Sequence, residues 1–301
     1  LERRRRRVDA STRAPDHTSQ DDVRVHLEEH RCAHRAELRW ALVVVVTTSA
    51  PSVELDGVSV RFGGLQALRD VSFAVSHGEI VGLIGPNGAG KTTAFNVMCG
   101  FVRPTTGRVR FPASSHANLR PSQLARAGVA RTLQGVGLFP HCTVLENVMA
   151  GGHLRRHGGF VSSLLALPWA VRADQSLRAD ALDQLERLGV AAYADRVPGQ
   201  IPFGVSKKVA VARALMCRPT LLLLDEPASG LDDAELDEFA RLITELRAEM
   251  AILLVEHDMT FVMPLVERLV VLDFGQVIAE GTPREVQANP AVVEAYLGVQ
   301  Q

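Results

Sequence analysis

Apolar and polar positions follow two different periods along this chain. Val58, Val60 and Phe62 alternate with polar residues, Gly63-Gly64 follows, and Val71, Phe73 and Val75 alternate again. This pattern predicts an antiparallel hairpin or meander from about Val53. His77-Gly78-Glu79 then turns the chain into a continuous apolar run, Ile80–Ile84, and similar runs recur at Val129–Leu133, Leu221–Leu224 and Ala251–Val255. Runs of this length suit parallel strands buried on both faces. Helical spacing puts Leu177, Ala181, Leu185 and Leu188 on one face, with Gly189 as the stop. Further helices are predicted at Ser206–Cys217, with Val209, Ala212, Leu215 and Met216 on the apolar side, and at Glu235–Glu249. Shorter elements are predicted as helices at Pro121–Ala127, at Leu145–Met149 and around Leu265–Glu267, and as a strand at Gly107–Phe111. A hairpin pairs Leu269–Leu272 with Gln276–Ala279 around Phe274-Gly275. There is no internal repeat, and the alternation of strands and helices is that of an α/β fold.

Residues 1–50 do not share this patterning. Arg3–Arg7 is a run of like charge followed by a mixed polar stretch, a composition that stays solvated and disordered. No adequate apolar core follows the arginines, so a secretory signal is not expected. Val43–Val46 is the one candidate for an extra edge strand. The chain begins at Leu1, which leaves a fragment, a processed form and an unusual start all open.

Composition changes this picture little. The 301 residues are 47% hydrophobic and 22% charged, with a formal net charge of −1. That is an ordinary globular profile, with no global push toward nucleic acid or an anionic membrane. Cys32, Cys99, Cys142 and Cys217 lie far apart without zinc or redox spacing, and are expected to be reduced thiols in a cytosolic protein. No segment approaches the roughly 20 apolar residues of a membrane span, since Trp40–Val46 and Leu164–Val171 are both too short. A membrane role would therefore go through a partner.

The chemistry concentrates at the ends of the apolar runs. Ile80–Ile84 leads into Gly85-Pro86-Asn87-Gly88-Ala89-Gly90-Lys91-Thr92-Thr93 and then into a helix. A buried strand, a glycine loop and a helix N-terminus in that order form a phosphate cradle. The glycines let backbone N–H groups turn inward, and the helix end adds unpaired donors and partial positive charge. Lys91 can reach β- and γ-phosphates, and the Thr92 hydroxyl can ligate Mg²⁺. The other runs end at Gln134, at Asp225-Glu226 and at Glu256-His257. Parallel sheets bind ligands beyond the carboxyl ends of their strands, so Lys91, Gln134, Asp225, Glu226 and His257 are expected around one nucleotide. Asp225 suits a Mg²⁺ ligand, Glu226 can polarise the attacking water, and His257 can hydrogen-bond the γ-phosphate. A charged turn at Asp225-Glu226-Pro227 is the competing reading, but a carboxylate at a buried strand end needs a partner. Asp273-Phe274-Gly275 spells a kinase triplet, yet the kinase catalytic loop is missing upstream, so the triplet is coincidental.

From about Val53 to Gly298 the chain resembles the ATP-binding cassette subunit of an ABC transporter. Gly85–Thr93 resembles its Walker A motif, and Leu221–Pro227 (LLLLDEP) its Walker B motif with the catalytic glutamate. Gln134 falls where the family's Q-loop glutamine falls, Ser229–Asp232 resembles the D-loop, and His257 the switch histidine. Phe62 matches the aromatic that stacks on adenine, its other reading being one more inward strand residue. The resemblance implies a phosphate-loop NTPase core of RecA type, here residues 51–138 and 219–301, with an antiparallel β-subdomain and a helical subdomain at about 139–218. It implies ATP and Mg²⁺ as cofactors, with Thr92, Gln134 and Asp225 at the metal. Implied partners are a second cassette, integral-membrane permease subunits and a solute-binding protein, with no nucleic acid. The implied location is cytoplasmic, on the inner face of the membrane. Ala130–Gly151, Val255–Met259 and Glu294–Gly298 are similar to branched-chain amino-acid transport ATPases, although cassettes for urea and other polar solutes are alike here.

One motif departs from the family. Where the signature normally has L-S-G-G-Q, this chain has Ile201-Pro202-Phe203-Gly204-Val205. Pro202 brings neither the serine hydroxyl nor an N–H. Gly204 and a helix start at Ser206 are expected to close the nucleotide of a second cassette, with Ser206 supplying a hydroxyl, and Asp232 contributes from the D-loop. Two other functions compete with the transporter: a soluble cassette ATPase on DNA or ribosomes, and a non-hydrolysing regulatory cassette. A single cassette without a long coiled coil or basic excess disfavours the first, and Glu226 with His257 disfavours the second. The absence of N-K-x-D disfavours a GTPase.

Overall fold

The first alternating segment changes phase halfway along. In the computed structural model, which describes residues 51–112, 114, 116–132, 135–153 and 168–297, it is strand β1, Pro51–Phe62. Val53 and Leu55 point inward, then Val58 and Val60. A register shift against β2, Leu65–Ser76, falls between Leu55 and Val58. The extra residue moves the buried set from odd to even positions, as a bulge must. Gly57 takes the positive φ of 60° that the kink requires.

β1 and β2 pair antiparallel across Gly63-Gly64, and a strand from after the phosphate loop, β4 (Thr106–Arg110), completes a sheet of order β2-β1-β4. A larger sheet has six strands. It starts with β3 (Ile80–Ile84), which feeds helix α1 (Lys91–Met98). Helix α2 (Pro121–Leu124) and one 3₁₀ turn lead to β5 (Val129–Arg131). Helices α3 (Val144–Gly151), α4 (Pro168–Arg187) and α5 (Phe203–Leu215) pack on one another before β6 (Leu221–Asp225). Then come α6 (Asp233–Leu246), β7 (Ala251–Val255), α7 (Met259–Leu265), β8 (Arg268–Asp273) and β9 (Gln276–Gly281). Helices α8 (Pro283–Gln287) and α9 (Pro290–Leu297) end the described chain.

The large sheet has the order β5-β6-β7-β3-β8-β9, in which the first five strands run parallel and β9 is antiparallel. Their side chains alternate between two cores. Leu222, Leu224, Ile252, Leu254, Leu269 and Val271 face one core, shared with α3–α7. Leu221, Leu223, Leu253, Val255, Val270 and Leu272 face the other, under α1 and the small sheet. Both faces are covered, which is why these strands read as unbroken apolar runs rather than as alternations.

Several expected boundaries shift. The helix expected from Ser206 begins at Phe203, with Pro202 as N-cap. Proline fits there because its missing N–H is one the helix end could not use. The helix expected to include Glu267 stops at Leu265, and the Glu267 carboxylate instead accepts the Ile80 N–H at 2.7 Å. β8 is more than one arm of the expected hairpin, since it joins β3 as a fifth parallel strand. α8 and α9 are helices that the apolar pattern does not predict. Leu133, Gln134, Gly298 and residues 1–50, with the candidate strand at Val43–Val46, lie outside the described residues.

The loop before α3 is tied down by one side chain. Asn147 is fully buried; its Oδ1 accepts the Phe139 N–H at 2.7 Å, and its Nδ2 donates to the carbonyls of Phe139, Cys142 and Thr143. No other residue type of that size offers an acceptor and two donors together. Asn147→Ala is expected to leave these backbone groups unsatisfied and to lower the unfolding free energy by roughly 1–3 kcal/mol. Urea denaturation should show the midpoint falling at unchanged slope.

Candidate nucleotide site

The loop between β3 and α1 holds a shape that only glycine permits at its two ends. Gly85 has φ 148° and Gly90 φ 101°. A Cβ on Gly85 would lie 2.1 Å from the Leu272 carbonyl oxygen, and one on Gly90 2.8 Å from that of Ala67. The neighbouring backbones thus leave no room for a side chain. Lys91 begins α1, and its ammonium donates to the carbonyls of Gly85 at 2.6 Å and Pro86 at 2.9 Å. Burial lowers its pKa, and the Glu226 carboxylate opposes that shift.

A cleft of about 740 Å³ opens over this loop. Asn87 to Thr93 form its floor, and Asp225, Glu226, Glu256 and His257 reach it from the ends of β6 and β7. Phe62 lies at its edge, 50% exposed, where it has left the inward set of β1. The competing reading of Phe62 as one more inward strand residue does not hold, because β1 runs past its buried set after Val60 and its last residue stands at the cleft. Phe274, Leu65 and Arg61 complete that edge.

Charge in the cleft is strongly organised. Burial raises the pKa of Asp225; the Arg131 guanidinium opposes the shift, and Glu226 and Glu256 add to it. Arg131 ends β5 and is held between two rings, 5.2 Å from the centre of Phe95 and 5.0 Å from that of Phe101. Glu226 adopts φ 47°, rare for a residue with a side chain. Its N–H donates to the Val255 carbonyl at 2.9 Å, and its carbonyl accepts the Lys207 ammonium at 3.0 Å. Glu256 is 1% exposed, whereas His257 is exposed with Nδ1 3.6 Å from a Glu256 oxygen.

Not every expected residue meets this cleft. Gln134 lies outside the described residues. Gly204, Ser206 and Asp232 do not line the cleft of their own chain. Asp232 caps α6, accepting the Glu235 N–H at 2.9 Å. For Ser206 the expected helix start is corrected to Phe203. Ser206 lies one turn inside α5 and is 8% exposed, and its hydroxyl donates to the Pro202 carbonyl at 3.2 Å. The open amides at that helix end belong to Phe203, Gly204 and Val205. Sequence reasoning also passes over Arg131, Lys207 and Glu256. Only the position of Glu256, between an apolar strand and His257, signals that its charge is buried.

The donors fit a hydrated hard cation. The Thr92 hydroxyl and the Asp225 carboxylate reach the same cleft, and oxygen donors of this kind suit Mg²⁺ beside a phosphate. Among the described residues no group of three or more His, Cys, Asp or Glu could hold a metal by itself, so a cation here would need oxygens from water and nucleotide.

A glycine cradle on a parallel sheet, with carboxylates arriving from adjacent strand ends, defines a phosphate-loop nucleotide hydrolase. A family described as "ABC transporter" matches residues 68–229, and "Branched-chain amino acid ATP-binding cassette transporter" matches residues 276–300. This chain belongs to the ABC transporter family and is its ATP-hydrolysing cassette. It is 39% identical to the high-affinity branched-chain amino acid transport ATP-binding protein BraF of Pseudomonas aeruginosa, over 83% of this chain and 99% of that one. It is 41% identical to LivG of Escherichia coli, over the same shares. A nucleotide-free ATP-binding cassette from an ABC transporter superposes with TM-score 0.71 at 31% identity, covering 82% of this chain and 99% of the other. Among the described residues no helix is long and apolar enough to cross a membrane.

Two outcomes follow from this geometry. Gly85→Ala forces its Cβ into the Leu272 carbonyl, and titration with a fluorescent nucleotide should show binding lost together with a lower Tm. Cys99 is fully buried, and burial pushes its thiol up to about 11 from 9.0. At pH 8 about one molecule in a thousand then carries the thiolate. Iodoacetamide is expected to spare Cys99 in the native protein and to modify it after unfolding, as read by mass spectrometry.

Proposed function

We propose that this chain hydrolyses ATP to drive import of branched-chain amino acids through permease subunits in the membrane. The observation that carries the reading is the convergence of Lys91, Asp225, Glu226 and His257 on one cleft from separate strand ends. The relatives' transport of branched-chain amino acids supplies the solute class.

Phe62 offers a stacking face for adenine, and the amides of Gly88 to Thr93 receive the phosphates. Lys91 leaves the Gly85 and Pro86 carbonyls and moves onto the β- and γ-phosphate oxygens. Thr92, Asp225 and Gln134 would hold Mg²⁺, which would neutralise phosphate charge. Glu226 orients the attacking water and accepts its proton as the water oxygen bonds to the γ-phosphorus, while the bond from that phosphorus to the β–γ bridging oxygen breaks and ADP leaves with the electron pair. His257 donates a hydrogen bond to the γ-phosphate.

A second cassette supplies the helix end of α5, with Gly204 and the first-turn amides, and Asp232 lies in the same D-loop interface. One of the similar structures, at TM-score 0.64 and 26% identity, is a dimeric post-hydrolysis cassette bound to ADP and Pi, which supports this arrangement. Binding energy from ATP then drives dimer closure. The permease docks on the loop at Leu138–Glu146 and the helices behind it, placing the cassette on the inner face of the membrane, and a solute-binding protein delivers the cargo.

Glu226→Gln should bind ATP normally and lose about 10²–10⁴-fold in turnover. With the co-encoded permease in proteoliposomes, leucine uptake should require ATP and stop in this variant. Undiminished hydrolysis in Glu226→Gln would sink the reading.

A further inference from the structure

At the back of the cleft two buried side chains of opposite charge stand near each other, and neither binding nor proton transfer uses them. Glu256 is 1% exposed and Lys207 8% exposed. Both Glu256 oxygens are committed: Oε1 accepts the Ala228 N–H at 2.6 Å, and Oε2 accepts the His257 N–H at 3.0 Å. Ala228 follows Glu226 by two residues, and His257 is next in the chain. The ladder between β6 and β7 ends at Asp225 opposite Val255, and the Glu226 N–H on the Val255 carbonyl is the last main-chain link there. Past that point the Glu256 carboxylate bridges the two turns.

We propose that Glu256 is a positioning residue for hydrolysis: its single carboxylate sets the spacing between the turns that carry Glu226 and His257, and Lys207 ties that spacing to α5. The inference rests on the proposed roles of Glu226 and His257 at the γ-phosphate. The bridge needs two acceptors at once. A glutamine offers one acceptor and one donor, and the donor would face an N–H. Charge-assisted bonds of this kind are short and geometrically strict.

Lys207 provides the second hold. Its ammonium donates to the Glu226 carbonyl and lies 5.4 Å from the centre of the Phe203 ring. Burial lowers its pKa, and the facing carboxylates of Glu256 and Glu226 oppose that shift. A non-glycine residue at φ 47° persists only when its surroundings fix it. The Lys207 bond to the carbonyl and the Val255 bond to the amide fix the Glu226 peptides from both sides. Nearby, the Phe203 ring lies 2.9 Å from where a Cβ on Gly230 would stand, and Lys208 pairs with Glu238 at 2.5 Å. The first turns of α5 are thereby fastened along the segment from Glu226 to α6. A shift of α5 is transmitted to the group that handles water.

The experiment compares full-length wild type with Glu256→Gln, Lys207→Met, Lys207→Arg and Glu226→Gln in steady-state ATPase assays. Fluorescent-nucleotide Kd and Tm are measured in parallel. Glu256→Gln is expected to lose about tenfold or more in kcat, with KM and Kd within about threefold and a near-native Tm. Lys207→Met should show the same split, and Lys207→Arg should recover most of the loss. Wild-type kcat in Glu256→Gln overturns the proposal, as does a joint fall of kcat, affinity and Tm, which marks a merely structural residue. Should Glu256→Gln fail to fold, the two Lys207 variants decide: the kcat-only loss with Arg rescue upholds the proposal, and any other pattern overturns it. Full turnover in Glu226→Gln defeats the underlying reading instead, whatever Glu256→Gln does.

Discussion

Water is kept from both faces of the large sheet, and the rest of the structure follows from that constraint. Strands covered on each side cannot carry charge along their length, because an unpaired ion there is too costly to desolvate. Polar residues are therefore expelled to the ends. The connections of a parallel sheet bring the carboxyl ends to a common edge, so residues far apart in sequence arrive together. Lys91, Asp225, Glu226 and His257 meet for this reason, and the two cores under alternate side chains hold the meeting place rigid. Where charge does enter the interior, at Glu256 and Lys207, it is hydrogen-bonded to backbone: both Glu256 oxygens accept amides, and the Lys207 ammonium donates to the Glu226 carbonyl.

The altered signature segment can be understood in the same terms. Proline at 202 costs α5 nothing, since a helix leaves its first amides unpaired in any case. Phenylalanine at 203 brings a ring that covers Gly230 and lies near the Lys207 ammonium. Gly204 remains glycine for a local reason: a Cβ there would meet the Glu235 carboxylate at 2.4 Å, and that carboxylate belongs to the cap of α6. The segment has exchanged a hydroxyl for packing against its own chain while keeping an open helix end.

The sequence displays the sheet and the cradle because both rest on local rules. An unbroken apolar run marks a strand covered twice, and a glycine loop before a helix marks an anion site. What stays hidden depends on contacts between distant segments. The phase change in β1 turns on Gly57, whose effect on register shows only against β2. Phe62 keeps step with Val58 and Val60, and that it meets the cleft instead of the core shows only once β1 is seen to run past its buried set. The pairing of β8 with β3 is invisible from β8, which looks like half of a hairpin whether or not a strand lies on its other side. The early start of α5 is concealed because proline reads as a breaker, although at an N-cap it begins the helix. Lys207 resembles a solvated charge, and although the place of Glu256 after an apolar strand hints at burial, nothing local to either residue announces the other.

The ammonium of Lys91 occupies the phosphate loop from within, docked on two carbonyls of its own turn. The cradle consequently ties two of the ammonium's three N–H groups to its own oxygens. An entering anion must outcompete those carbonyls as well as shed its own hydration. A small, single-pointed anion has little with which to win that exchange, whereas a triphosphate engages the loop amides along its length and displaces the internal tether as it seats. The loop is a lock already holding a blank key, so occupancy selects for polyvalent guests over orthophosphate.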